Sequence, residues 1–115
     1  MVLTDKSFDI LRERLFGGSL TQVQVDSLNY LVQRCEEYVL TYPETAYVLA
    51  TVLHETAATM LPIKEYGSDS YLRGKKYFPY IGYGYVQLTW EDNFRRVGGL
   101  IGVDLIQNPE RALEK

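Results

Sequence analysis

The chain is poor in the residues that do metal and redox chemistry. Its 115 residues include one cysteine, Cys35, and one histidine, His54. A lone cysteine closes no internal disulfide, which points to synthesis in a reducing cytosol. Cys35 falls in an apolar helical pattern and reads as a buried thiol; nothing in the sequence brings it to His54 as a nucleophile pair. His54-Glu55 begins a His-Glu-x-x-His metalloprotease pattern, but position 58 is Ala. Zinc here would need mostly carboxylate ligands, so no metal and no cofactor are expected. There is no excess of positive charge. The net charge is −3, which argues against nucleic acid as a partner and gives no overall attraction to an anionic polymer. No apolar run is long enough to cross a bilayer, so membrane insertion is not expected. The opening Met-Val-Leu-Thr-Asp-Lys-Ser lacks the charged-then-apolar order of a signal peptide. Internal repeats, low-complexity stretches, a phosphate loop and a dinucleotide fingerprint are also missing.

What is present suits one globular domain over residues 1–115. Hydrophobic residues make up 46% of the chain, enough for a core. Asp5 to Leu15 reads as a first helix with Phe8, Leu11 and Leu15 on one face, stopped by Gly17-Gly18. Thr21 and Gln24 form a capping-box pattern. The helix they open is expected to reach about Leu40, with Val25, Leu28, Leu31, Val32, Cys35 and Val39 buried. Tyr42-Pro43-Glu44 starts a third helix, expected to run to about Met60, where Pro62 ends it. Residues 62–86 form a glycine- and tyrosine-rich loop region with one short hairpin; Ile81 to Leu88 contains a strand. Thr89 and Asp92 suggest a capped start for a helix from about Trp90 to Val97, ended by Gly98-Gly99. Asn108-Pro109-Glu110 opens a last helix. The fold class is thus mainly α, with about five helices and a small β element forming one side of a cleft.

The third helix is apolar on nearly every side, as interior helices are. Glu55 is the only acidic residue between Glu44 and Glu65. Carried toward an apolar interior, its carboxyl group would hold a proton more readily than in water, as a general acid must. Glu65 lies ten residues on, beyond Pro62, and can face the helix end from a loop. Two carboxyl groups about 6.5–9.5 Å apart with water between them make an inverting glycosidase pair. The neighbouring tyrosines offer flat rings to sugar faces and hydroxyls to sugar oxygens. Arg73, Lys75 and Lys76 are a solvated cluster that could also meet wall carboxylates.

The run Ala-Tyr-Val-Leu-Ala-Thr-Val-Leu-His-Glu-Thr at 46–56 is followed by Pro-Ile-Lys-Glu at 62–65. Gly-Tyr-Gly-Tyr-Val-Gln-Leu-Thr-Trp stands at 82–90, with Asn93, Gly-Val-Asp-Leu at 102–105 and Asn-Pro-Glu at 108–110. In this order the motifs resemble glycoside hydrolase family 19, in its phage-endolysin and bacterial chitinase-like branch. Phe16 to Gln22 extends the similarity over nearly the whole chain. The resemblance implies a lysozyme-like fold and an inverting attack on β-1,4 bonds of peptidoglycan or chitin in the bacterial wall. It implies that Glu55 is the general acid, that Glu65 is the general base and that Thr89 holds the attacking water. It implies that His54, Tyr85, Gln87 and Asn93 line the sugar site. The chain departs from the family where Tyr83 stands for the usual Arg between two glycines. Relatives also continue with further helices, so the resemblance implies a domain lacking its C-terminal helices. A half-cleft of that kind could be completed by a second copy in a homodimer.

Overall fold

A computed structural model describes residues 2–114. It is mainly helical, with a small antiparallel sheet, and divides into two compact units, residues 1–60 and 61–115. Among the described residues no helix is long and apolar enough to cross a membrane.

The first unit holds three helices, each opened by a threonine capping box. In α1 (Asp5–Arg14) Thr4 pairs with Ser7, in α2 (Gln22–Glu37) Thr21 pairs with Gln24, and in α3 (Tyr42–Glu55) Thr41 pairs with Glu44. Each box satisfies two backbone N–H groups that the first helical turn leaves without partners. Glu44 is held below the ordinary carboxylate pKa by the hydrogen bonds it shares with Thr41. Leu28, Leu31, Val32 and Cys35 of α2 are buried as their spacing requires.

Three expectations for this unit are corrected. Helix α2 stops at Glu37, because Val39 takes a left-handed φ of 58° and turns its side chain outward, 86% exposed. Helix α3 stops at Glu55, five residues before Met60. The hydroxyl of Thr56 donates to Val52 O at 2.6 Å and accepts from Met60 N at 3.0 Å, while Ala57 and Ala58 turn to φ 50° and 65°. Gln24 Nε2 holds the turn by donating to Ala58 O at 2.9 Å. Nor is α3 an interior helix, since only Thr45 and Val52 of its residues are buried. Its apolar stripe of Ala46, Leu49, Ala50 and Leu53 lines an open groove of about 230 Å³, across from Leu11, Leu15 and Phe16. All-round apolarity is therefore spent on a groove wall.

The second unit is built on strands β1 (Ile63–Lys64) and β2 (Tyr83–Gly84). They pair antiparallel, Ile63 opposite Gly84 and Lys64 opposite Tyr83. A tight turn returns from β2, closed by hydrogen bonds in both directions between Tyr83 and Leu88. Between the strands lies α4 (Asp69–Arg73), a short helix inside the expected loop, capped by Ser68. Helix α5 (Glu91–Ile101) runs through Gly98-Gly99 instead of ending there, and stops at Gly102 with φ 71°. Gly98 is buried because the chain crosses it closely: a Cβ there would lie 2.6 Å from Val103 O. Asn108-Pro109 opens a five-residue 3-10 helix, Pro109–Leu113, without a side-chain cap. Its Ala112 O closes over Gly84, leaving 2.8 Å to where a Cβ would sit.

Candidate active site

The second unit holds five of the residues expected to act, Glu65, Tyr85, Gln87, Thr89 and Asn93. Glu65 directly follows β1, and its N–H donates to Gly82 O at 2.6 Å, extending the ladder by one step. The half-buried carboxylate is held at both oxygens. Tyr77 Oη donates to Oε1 at 2.7 Å and Gly82 N donates to Oε2 at 2.9 Å. One donor is a side chain twelve residues away and the other the backbone amide just before β2, so the carboxylate has a fixed orientation. The bond to Glu65 keeps the Tyr77 phenol above its ordinary pKa, helped by burial and by the Glu65 charge. Tyr77 therefore remains a donor through neutral pH.

Gly82 lets Gln87 and Glu65 approach the backbone closely. A Cβ there would stand 2.5 Å from Gln87 Oε1 and 3.3 Å from Glu65 Cβ. Gln87, at φ 54°, sends its Nε2 to Ile63 O at 2.7 Å and to Gly84 O at 3.1 Å, and so ties the turn to β1. Both its donors thus go to backbone, the role of many buried amides. Thr89 Oγ1 donates to Gln87 O at 2.8 Å. With its proton so engaged, the hydroxyl can still accept a hydrogen from water. Asn93 Nδ2 donates to Thr89 O at 2.9 Å, closing a relay from Ile63 to α5. Tyr85 lies half-buried in the turn between Gly84 and Gln87, its hydroxyl shielded from solvent.

Thr89 does not cap α5. Trp90 occupies that position, at φ 75° and ψ 139°, with no side-chain hydrogen bond to the helix. Tyr83, at the position where the family usually has an arginine, packs its ring at right angles to that of Phe94, with centroids 6.3 Å apart. Burial, then the nearby Glu110, pushes its phenol above the ordinary pKa.

His54 and Glu55 belong to the first unit, in the last turn of α3, and both are exposed. The apolar surroundings expected for Glu55 are absent, because α3 ends on it and lies at the surface. The sequence reading also missed Tyr77 and Gly82 as the groups that hold Glu65. The glycine content marked a crowded backbone, but nothing local connects either residue to position 65. Comparison with protein-family models, with curated proteins and with solved structures finds no match to this chain.

Proposed function

We propose that the chain is a glycoside hydrolase that cleaves β-1,4 bonds of peptidoglycan with inversion, Glu65 acting as general base and Glu55 as general acid. The observation that carries this reading is the anchored Glu65 carboxylate, with a hydroxyl and an amide placed on its two oxygens. A base that must take a proton from one water needs that fixed direction. A protonated acid, the role that the family resemblance implies for Glu55, gives its proton to the glycosidic oxygen as the bond from that oxygen to the anomeric carbon breaks. Water attacks the same carbon from the opposite face and loses a proton to Glu65, while Thr89 Oγ1 accepts the other water hydrogen. The acid ends ionised and the base protonated; exchange with solvent restores both. Chitin, which has the same linkage, is the alternative substrate.

The test is reducing-end release from purified peptidoglycan and from chitin by the wild type, Glu55→Gln and Glu65→Gln, each checked for folding by circular dichroism. Each substitution is expected to lower turnover by about 100-fold or more, and the first-formed product should carry the inverted anomer by NMR. Equal turnover in wild type and Glu65→Gln would refute the assignment of the base. The exposure of Glu55 favours one second reading, a glycan-binding domain without turnover. A folded wild type that sediments with wall material but releases no sugar from either polymer would select it.

A further inference from the structure

The second unit presents an aromatic surface next to the Glu65 anchor. Trp90 is the chain's one tryptophan, and it stands 52% exposed. Its ring lies 5.1 Å from that of Tyr77, tilted by 59°. Tyr77 is the residue whose hydroxyl grips Glu65 at 2.7 Å. The two rings line a concave space of about 270 Å³ with Phe78 and Tyr80, and Lys76, Glu91 and Asp92 supply charged groups around them. That volume is a little below the roughly 300–1,000 Å³ of sites for drug-sized ligands.

The backbone at Trp90 is unusual in the same place. A φ of 75° with ψ 139° is a conformation in which glycine would be at ease and a bulky aromatic residue is strained. The surrounding hydrogen bonds hold it there. Trp90 N donates to Tyr80 O at 2.9 Å, and Trp90 O accepts from Asn93 N and Phe94 N, each at 3.1 Å. Half the indole remains in solvent, so core packing gives little return for the strain. Strain of this kind persists where a site needs a particular side chain in a particular direction.

We infer that Trp90 and Tyr77 form a stacking subsite for one pyranose ring of a β-1,4-linked N-acetylhexosamine chain, immediately beside Glu65. This rests on the glycoside hydrolase reading for the choice of a sugar as ligand. The C–H face of the ring lies on the indole, and sugar hydroxyls and the acetamido group meet Lys76, Glu91 and Asp92 at the rim. Since Tyr77 serves both the stack and the carboxylate, a sugar held on Trp90 is positioned relative to the base by one rigid side chain.

The experiment uses the full chain carrying Glu65→Gln, so that binding is read without turnover. It is titrated with a β-1,4-linked N-acetylglucosamine trimer and, in a parallel arm, with soluble peptidoglycan fragments. Emission of the single tryptophan should change saturably, and the arm with the lower Kd identifies the polymer. By calorimetry Trp90→Ala should weaken binding about 5- to 10-fold, the scale of one aromatic stack, and Trp90→Phe should recover part of that loss. Trp90→Gly separates packing from strain. It should unfold at a temperature no lower than the wild type, because glycine accepts the local backbone, yet bind as weakly as Trp90→Ala. Saturable binding with unchanged emission, or equal Kd values for Trp90→Gly and wild type, would overturn the subsite. Emission that responds to glycan in a protein that hydrolyses neither polymer would instead leave the subsite standing and remove the hydrolase reading. Hydrolysis that depends on Glu65 but is indifferent to Trp90 would do the reverse.

Discussion

Two adjacent glycines in α5 should respond in opposite directions to the same added methyl group. Gly98 and Gly99 both lie within Glu91–Ile101. At Gly99 a Cβ would meet nothing within 4 Å. Gly99→Ala should therefore show mainly the helix-propensity gain, about 0.5–1 kcal/mol of added stability, with the lower end favoured near the helix terminus. At Gly98 the same Cβ would sit 2.6 Å from the backbone oxygen of Val103 and 3.4 Å from Leu105 Cβ. A backbone carbonyl cannot rotate aside as a side-chain end can, so the 103–105 segment has to move. Overpacking of this kind costs typically ~1–3 kcal/mol, less the same propensity gain, so the net loss should be about 0.5–2 kcal/mol. The assay is urea unfolding followed by circular dichroism at 222 nm, a far-ultraviolet wavelength for helix. The difference between the two variants, about 1–3 kcal/mol, is more secure than either value because the propensity term is nearly shared. If Gly98→Ala were as stable as Gly99→Ala, the close crossing of 103–105 over α5 would be refuted. Because Asn93 and Phe94 lie on this helix, a shifted α5 should also lower activity in Gly98→Ala alone.

Tyr77→Phe keeps the ring beside Trp90 but removes one of the two donors to Glu65. A hydrogen bond to a charged group contributes about 1.5–3 kcal/mol, so turnover should fall roughly 10-fold or more with the fold intact by circular dichroism; unchanged kcat would mean that Tyr77 does not orient the base. Gln87→Glu replaces the Nε2 donor with an oxygen facing Ile63 O and Gly84 O. Two lost hydrogen bonds and the resulting repulsion should cost about 2–3 kcal/mol, more than Gln87→Met, as measured by urea unfolding. The Tyr83 phenol is pushed above its ordinary pKa of 10.0 by burial and Glu110, so the folded state binds its proton more tightly than the unfolded state. Its contribution is fully present below pH 10 and is lost as pH rises through the folded-state value. The unfolding midpoint should therefore fall above about pH 10, and Tyr83→Phe should fall less steeply; identical slopes would count against the partly buried phenol.

Local chemistry was legible in the sequence. The capping box of Thr21 with Gln24, Pro43 in the first turn of α3 and the buried stripe of Leu28, Leu31, Val32 and Cys35 depend on residues three or four apart, and the structure has each of them. The short β element near residues 81–88 was visible from its residue types. Of the residues that the family resemblance singled out, Gln87, Thr89 and Asn93 are linked in one run of hydrogen bonds that starts at Ile63 O, while Glu65 is held separately by Tyr77 and Gly82. The tertiary structure decided the rest, because those features depend on atoms distant in the chain. Whether Gly98-Gly99 ends a helix or lets another segment cross it is set by Val103 and Leu105. Apolarity around α3 could not say that its stripe faces an open groove, since periodicity reports a helix's faces and not what covers them. The sequence offered a carboxylate at position 65, but its direction came from Tyr77 and Gly82, twelve and seventeen residues away. No local rule reaches that far, because such a hydrogen bond exists only after the loop between its partners has closed.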